Sequence, residues 1–148
     1  MGLIIDTSAL VEIERSDLGF EEALESFINE SVGIPVIVWA ELLTGVRLAK
    51  SARIAANRRA RLEQLRLYVP IIEFDPDIAE HYADIFAECV KSGKMIPQNE
   101  MAVAATARKM QYGVLVGSKD EAHFRLVKKL SVVCLNPLSR SAKATGNE

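Results

Sequence analysis

The chain is poor in residues that would staple it or anchor it in a membrane. It has two cysteines in 148 residues, Cys89 and Cys134. They are far apart and show neither a CxxC pair nor a Cys/His spacing, which excludes a zinc scaffold; both fall in apolar patterns and read as small core residues. Its two histidines, His81 and His123, have no base–nucleophile pairing visible in sequence, so both are read as structural. No apolar run approaches the length of a membrane span and no signal-type N-terminus opens the chain, so a soluble, cytoplasmic protein without a membrane partner is expected. An excess of one charge is missing as well. A net charge of −2 offers no global attraction for nucleic acid. Internal repeats are absent.

What is present is an ordinary globular balance, 49% hydrophobic and 26% charged residues, which argues against disorder. A chain of this length buries one sizeable core without metals or disulfides, so one domain is expected over residues 1–136. Beyond Pro137 the composition turns to Ser, Ala, Lys, Thr and Gly, and residues 137–148 are expected to form a poorly ordered tail. Charge is segregated along the chain. From Met1 to Gly45 nine acidic residues face Arg15 alone, a balance of −8; between Arg47 and Arg66 seven basic residues face Glu63, a balance of +6. That basic segment is a solvated helix face, or else a surface for phosphates or an acidic protein.

The order of elements alternates. Leu3-Ile4-Ile5 predicts a strand buried on both faces, followed by a helix from Ala9 to Glu14 with Thr7 and Ser8 as caps. A second amphipathic helix runs from Phe20 to Glu30 through Leu24, Phe27 and Ile28. Ile34–Val38 is a second strand, and a helix from Trp39 to Lys50 has Glu41 in its first turn. Ser51–Leu67 continues as helix, and Val69–Phe74 is a third strand. Asp75-Pro76 starts a helix that Ser92-Gly93 stops. A helix from Pro97 to Met110 has Asn99 as its cap, Glu100 in its first turn and a face of Ala102, Ala104, Ala105 and Ala107 suited to close packing. Val114–Val116 is a fourth strand, Glu121–Val127 a short helix and Ser131–Leu135 a fifth strand. Alternating β-branched strands and helices predict an α/β fold with a parallel, doubly covered sheet, whose ligands collect at the carboxyl ends of the strands.

Four acids share that location. Asp6 follows strand one, Glu41 opens the helix after strand two, Glu100 opens the helix leading to strand four, and Asp120 follows strand four. Asp6 taken alone is equally well explained as a helix cap. Carboxylates that converge repel, and burying them unpaired costs several kcal/mol per ion, so a cation is wanted. Oxygen ligands select Mg²⁺ or Mn²⁺ over zinc, and such ions suit phosphodiester hydrolysis.

The same stretches carry a family resemblance. The opening Leu3 to Leu10, with its Asp-Thr-Ser-Ala-Leu, then Ala40-Glu41-Leu42-Leu43-Thr44-Gly45, Ala104-Ala105-Thr106-Ala107, and Val116-Gly117-Ser118-Lys119-Asp120 with His123-Phe124 behind it, resemble the four motifs of PIN-domain proteins. Within that superfamily the chain is similar to the toxin ribonucleases of VapBC toxin–antitoxin modules, over residues 3 to about 134. The resemblance implies a three-layer α/β/α sandwich around a mainly parallel sheet of about five strands. It implies a Mg²⁺- or Mn²⁺-dependent endoribonuclease that homodimerises and is inhibited by a cognate antitoxin. In that picture Asp6, Glu100 and Asp120 are metal ligands, Glu41 completes the acidic cluster, and Ser118 and Ser8 hydrogen-bond these carboxylates or the scissile phosphate. Glu12 is read as solvent-facing. Two positions depart from the family pattern: Glu100 stands where aspartate is usual, and Gly117 where a bulkier aliphatic residue is usual. A PIN nuclease of RNA processing, or a PIN-fold binding module that has lost its metal, are the alternatives.

Overall fold

The computed structural model describes residues 2–27 and 29–135; the expected tail and the assignment of Ile28 to a helix lie outside the described residues. Its centre is a five-stranded, all-parallel sheet in the order β3-β2-β1-β4-β5. The strands are β1 (Leu3–Ile5), β2 (Val32–Pro35), β3 (Ile71–Ile72), β4 (Gly113–Val116) and β5 (Val132–Cys134). Among the described residues seven helices connect them: α1 (Thr7–Arg15), α2 (Phe20–Ala23), α3 (Val36–Arg47), α4 (Ala52–Tyr68), α5 (Pro76–Ser92), α6 (Gln98–Met110) and α7 (Glu121–Arg125). This is the expected α/β sandwich. β1 lies between β2 and β4, in register Leu3 with Val32 and with Gly113. The chain therefore winds outward one way from β1 and then the other way from β4. Right-handed crossovers place the helices before and after that reversal on opposite faces, and the reversal opens a crevice at the carboxyl ends of β1 and β4.

Local chemistry explains most boundaries. The Asp75 side chain accepts from the Ile78 amide at 2.8 Å and Pro76 occupies the first helical position, which starts α5. Gly93 ends it with φ of 69°, a left-handed value that glycine adopts without a steric penalty. The alanine face of α6 is buried as expected, which seats that helix close to β1, β2 and β4. Ile4, Ile5, Ile34, Val114, Leu115 and Val116 are wholly buried beneath the helices.

Several boundaries differ from the expectation. Val36, Ile37 and Val38 form the first turn of α3 rather than the end of β2, so Glu41 lies in the second turn. Their β-branched preference for strand is modest, and burying Val38 and Trp39 within a helix outweighs it. The second helix stops at Ala23 and a 3-10 turn, Glu25–Phe27, follows. β3 shrinks to Ile71–Ile72. A break separates α3 from α4, where Ser51 caps α4 by accepting from the Ile54 amide. Pro97, not Asn99, is the residue before α6. Cys89 is buried, whereas Cys134 is only half-buried, with its Sγ 3.6 Å from the Arg125 guanidinium. Among the described residues no helix is long and apolar enough to cross a membrane.

Candidate active site

Asp6 ends β1 and starts α1. Its amide donates to the Leu115 carbonyl at 3.0 Å, fastening it to β4. Its carboxylate Oδ2 accepts from the Ser8 amide at 3.0 Å and from the Ser8 hydroxyl at 2.5 Å. Asp6 is thus the N-cap of α1, one position earlier than the expected caps. The helix-cap role does not exclude the ligand role, because the other carboxylate oxygen is not used by the cap.

The four acids identified in the sequence come together. Glu100, in the first turn of α6, and Asp6, at the head of α1, are both buried. Asp120, at the N-terminus of α7, lies within hydrogen-bonding reach of the carboxyls of both Asp6 and Glu100. Glu41 approaches from α3 and feels the charge of Asp120. Burial chiefly pushes Asp6 up to about 6; the Ser8 hydrogen bonds oppose the shift and the nearby Asp120 adds to it. Burial chiefly pushes Glu100 up to about 8, with Asp120, Asp6 and Glu41 adding their repulsion. Glu41 is also raised, first by burial and then by Asp120, while the Thr7 hydroxyl and Lys119 pull the other way.

The two hydroxyls expected at the site have definite partners. The Ser8 hydroxyl, besides donating to Asp6, accepts from the Gly117 amide at 3.0 Å. Ser118 is exposed and donates through both its amide and its hydroxyl to Glu12 Oε1, a carboxylate outside the expected set. Glu12 is therefore a fastening between α1 and the turn after β4, not a solvent-facing residue. Its spacing from Ser8, four residues along α1, puts both on one helix face and is the only local sign of this role.

His123, read from the sequence as structural, also lies among the acids. Its Nδ1 lies 2.8 Å from Glu100 Oε2, an ion-pair distance, although the two buried atoms do not meet hydrogen-bond geometry. Ligand atoms of Glu100, Asp120 and His123 all lie within 4.8 Å of one another. The signal that would have found His123 is its position three residues after Asp120, the N-cap of the short helix that carries it.

This environment fits a divalent cation. Carboxyls crowded at one sheet edge are held above their ordinary range, and the buried Glu100 oxygen and His123 nitrogen face each other at 2.8 Å without completing a hydrogen bond. Buried polar atoms are rarely left without partners unless an ion or a water completes them.

A parallel sheet whose strand order reverses at β1 and β4, with an acidic cluster gathered at that reversal, defines an α/β protein with a cluster consistent with a metal site. The chain belongs to the PIN-domain family, whose model matches residues 3–130. Its curated relatives include Toxin FitB of Neisseria gonorrhoeae, 35% identical over 127 residues covering 82% of this chain and 90% of that protein. They also include Ribonuclease VapC5 of Mycobacterium tuberculosis, 30% identical over 119 residues covering 80% and 84%. The solved structure of the VapBC-5 toxin–antitoxin system of the same organism is 27% identical, with a TM-score of 0.67 over 91% of this chain and 98% of that one. The fold is also that of VapBC2 from Rickettsia felis, with a TM-score of 0.78 at 22% identity over 90% of this chain and 98% of that one.

Proposed function

We propose that this protein is a VapC-type toxin, a metal-dependent endoribonuclease of a type II toxin–antitoxin system that hydrolyses RNA phosphodiester bonds in the cytoplasm. The observation that carries the reading is the convergence of Asp6, Glu41, Glu100 and Asp120 from four separate segments at one edge of the sheet, with the buried Glu100 carboxyl pushed up to about 8 by burial and by the other acids. The relatives named above, toxins and ribonucleases by name, support it.

In this reading Asp6, Glu100 and Asp120 hold Mg²⁺ or Mn²⁺. When bound, such an ion neutralises charge developing on the phosphoryl oxygens and lowers the pKa of an attacking water. Glu41, half-buried with its carboxyl raised, would accept the proton that water releases as it adds to phosphorus, while the bond from phosphorus to the leaving ribose oxygen breaks and that oxygen takes up a proton from solvent. Ser8, accepting from the Gly117 amide, and Ser118, donating to Glu12, hold the turn that carries Asp120 against α1.

An acidic edge repels RNA. Arg47, Lys50 and Arg53 lie exposed where α3 passes into α4, without an ion-pair partner among the described residues, and are the cations of the basic segment open to RNA phosphates. The rest of the basic segment is largely engaged within the fold. Arg58 donates to Glu14 and to the Gly45 carbonyl, Arg61 donates to the Leu18 carbonyl and stacks on Phe20, Arg59 pairs with Glu63, and Arg66 lies over Trp39. A cognate antitoxin and a second copy of the chain complete the set of partners; the solved toxin–antitoxin system of matching fold supports the first.

The test is cleavage of total RNA with Mg²⁺ or Mn²⁺, with and without EDTA, comparing the wild type with Asp6→Ala. EDTA-sensitive cleavage that Asp6→Ala lacks is expected. Equal cleavage by Asp6→Ala overturns the site, and no cleavage with either ion leaves a PIN-fold binding module.

A further inference from the structure

The pair formed by Glu100 and His123 is poorly explained as a simple hydrogen bond. Their facing atoms, Oε2 and Nδ1, make an ion-pair contact at 2.8 Å, yet the two buried atoms are not aligned as a hydrogen bond. A second relationship accounts for the distance. Two ligand atoms at right angles on one octahedral ion also stand about 3 Å apart, as these do, without pointing at each other. Asp120 supplies an oxygen within the same 4.8 Å cluster.

The chain holds these atoms in place independently of each other. Phe124, wholly buried, anchors α7 and so fixes its neighbour His123 and the preceding Asp120. Glu100 sits on α6, whose buried alanine face is packed on the sheet. The length of the glutamate is what closes the gap: an aspartate at this position would end one methylene, about 1.5 Å, short of His123.

Resting on the metal-site reading above, we propose that His123 Nδ1 is itself a ligand of this ion beside Glu100 and Asp120, and that the mixed nitrogen–oxygen set favours a transition ion such as Mn²⁺ over Mg²⁺. An imidazole nitrogen is a poor partner for Mg²⁺, which takes oxygen, and a better one for first-row transition ions. The glutamate that departs from the family pattern is, in this view, matched to the histidine. Ligation requires the neutral ring with its proton on Nε2.

The experiment is pulsed EPR of the full chain loaded with Mn²⁺, unlabelled and with ¹⁵N-histidine, together with calorimetric titration of Mn²⁺ and Mg²⁺. The expected result is a nitrogen hyperfine coupling that changes isotope on labelling and persists in His81→Gln. It disappears in His123→Ala, whose Mn²⁺ affinity falls about tenfold or more while its Mg²⁺ affinity changes far less. The labelling arm uses the wild-type chain, so it stands even if His123→Ala folds poorly. Mn²⁺ bound without a histidine coupling overturns the proposal and leaves the metal site standing, provided Asp6→Ala loses the ion. If Asp6→Ala and Glu100→Gln bind Mn²⁺ like the wild type, the metal-site reading fails and this proposal fails with it.

Discussion

Glu12 Oε1 accepts two hydrogen bonds from Ser118, one from the amide and one from the hydroxyl, each 2.6 Å long. The bond joins residues 106 apart in sequence and sits beside a second tie, from the Gly117 amide to the Ser8 hydroxyl. Together they clamp α1 to the turn that leads into Asp120. The clamp sets where Asp120 stands relative to Asp6.

Glu12→Ala is therefore expected to lower kcat on RNA by about 10- to 100-fold, since small misplacements of reacting groups are that costly, with KM little changed. The loss of stability should be modest, about 0.5–1.5 kcal/mol, because the bonds are exposed. Glu12→Gln keeps one acceptor oxygen and should recover much of the rate. Steady-state kinetics and thermal melts check this; wild-type kcat in Glu12→Ala overturns the clamp.

Gly117 has a separate steric reason to be glycine. A Cβ there would lie 2.6 Å from the Ser8 carbonyl oxygen and 2.8 Å from its carbon, both backbone atoms that cannot swing aside. Gly117→Ala should destabilise the fold by about 1–3 kcal/mol, the range for overpacking, and separate the turn from α1. A melting temperature equal to the wild type's would show that the turn relaxes freely.

Stability of the metal-free protein should fall as pH rises. Asp6 and Glu100 titrate near 6 and 8 in the folded chain, above their ordinary values of 3.8 and 4.5. The folded state thus binds protons more tightly than the unfolded one. Its advantage is complete below about pH 4 and is lost progressively to about pH 8. Denaturant midpoints in EDTA at intervals from pH 4.5 to about 8.5 should decline, Glu100→Gln should flatten the upper part of the decline, and saturating Mn²⁺ should reverse it. A flat wild-type profile in EDTA excludes these shifts.

Shortening the glutamate tests its match to His123. Glu100→Asp should weaken Mn²⁺ binding about tenfold, the lower end of what a misplaced ligand sphere costs, and should abolish the histidine coupling. A rise in both affinity and activity would mean that the glutamate is a handicap to the ion.

Much of this was legible locally. The Asp75-Pro76 start and the Gly93 stop of α5 are read from single residues, because caps depend on the backbone within one turn. The alternation of β-branched runs with helical patterns is enough to predict a parallel sheet, and a parallel sheet determines where Asp6, Glu100 and Asp120 must meet. The boundary between β2 and α3 was not legible. Val36-Ile37-Val38 carries strand propensity, and only the packing of Val38 and Trp39 into the core decides for helix.

The sequence by itself determined the architecture, the acidic edge and the family, since each rests on periodicity, caps and short motifs that act within a few residues. Tertiary structure alone decided what those acids touch. Glu12 with Ser118, Ser8 with Gly117, and Glu100 with His123 join segments that spacing along the chain does not relate. Through-space distance between side chains on different elements is set by how helices seat on the sheet, and that depends on the whole core at once.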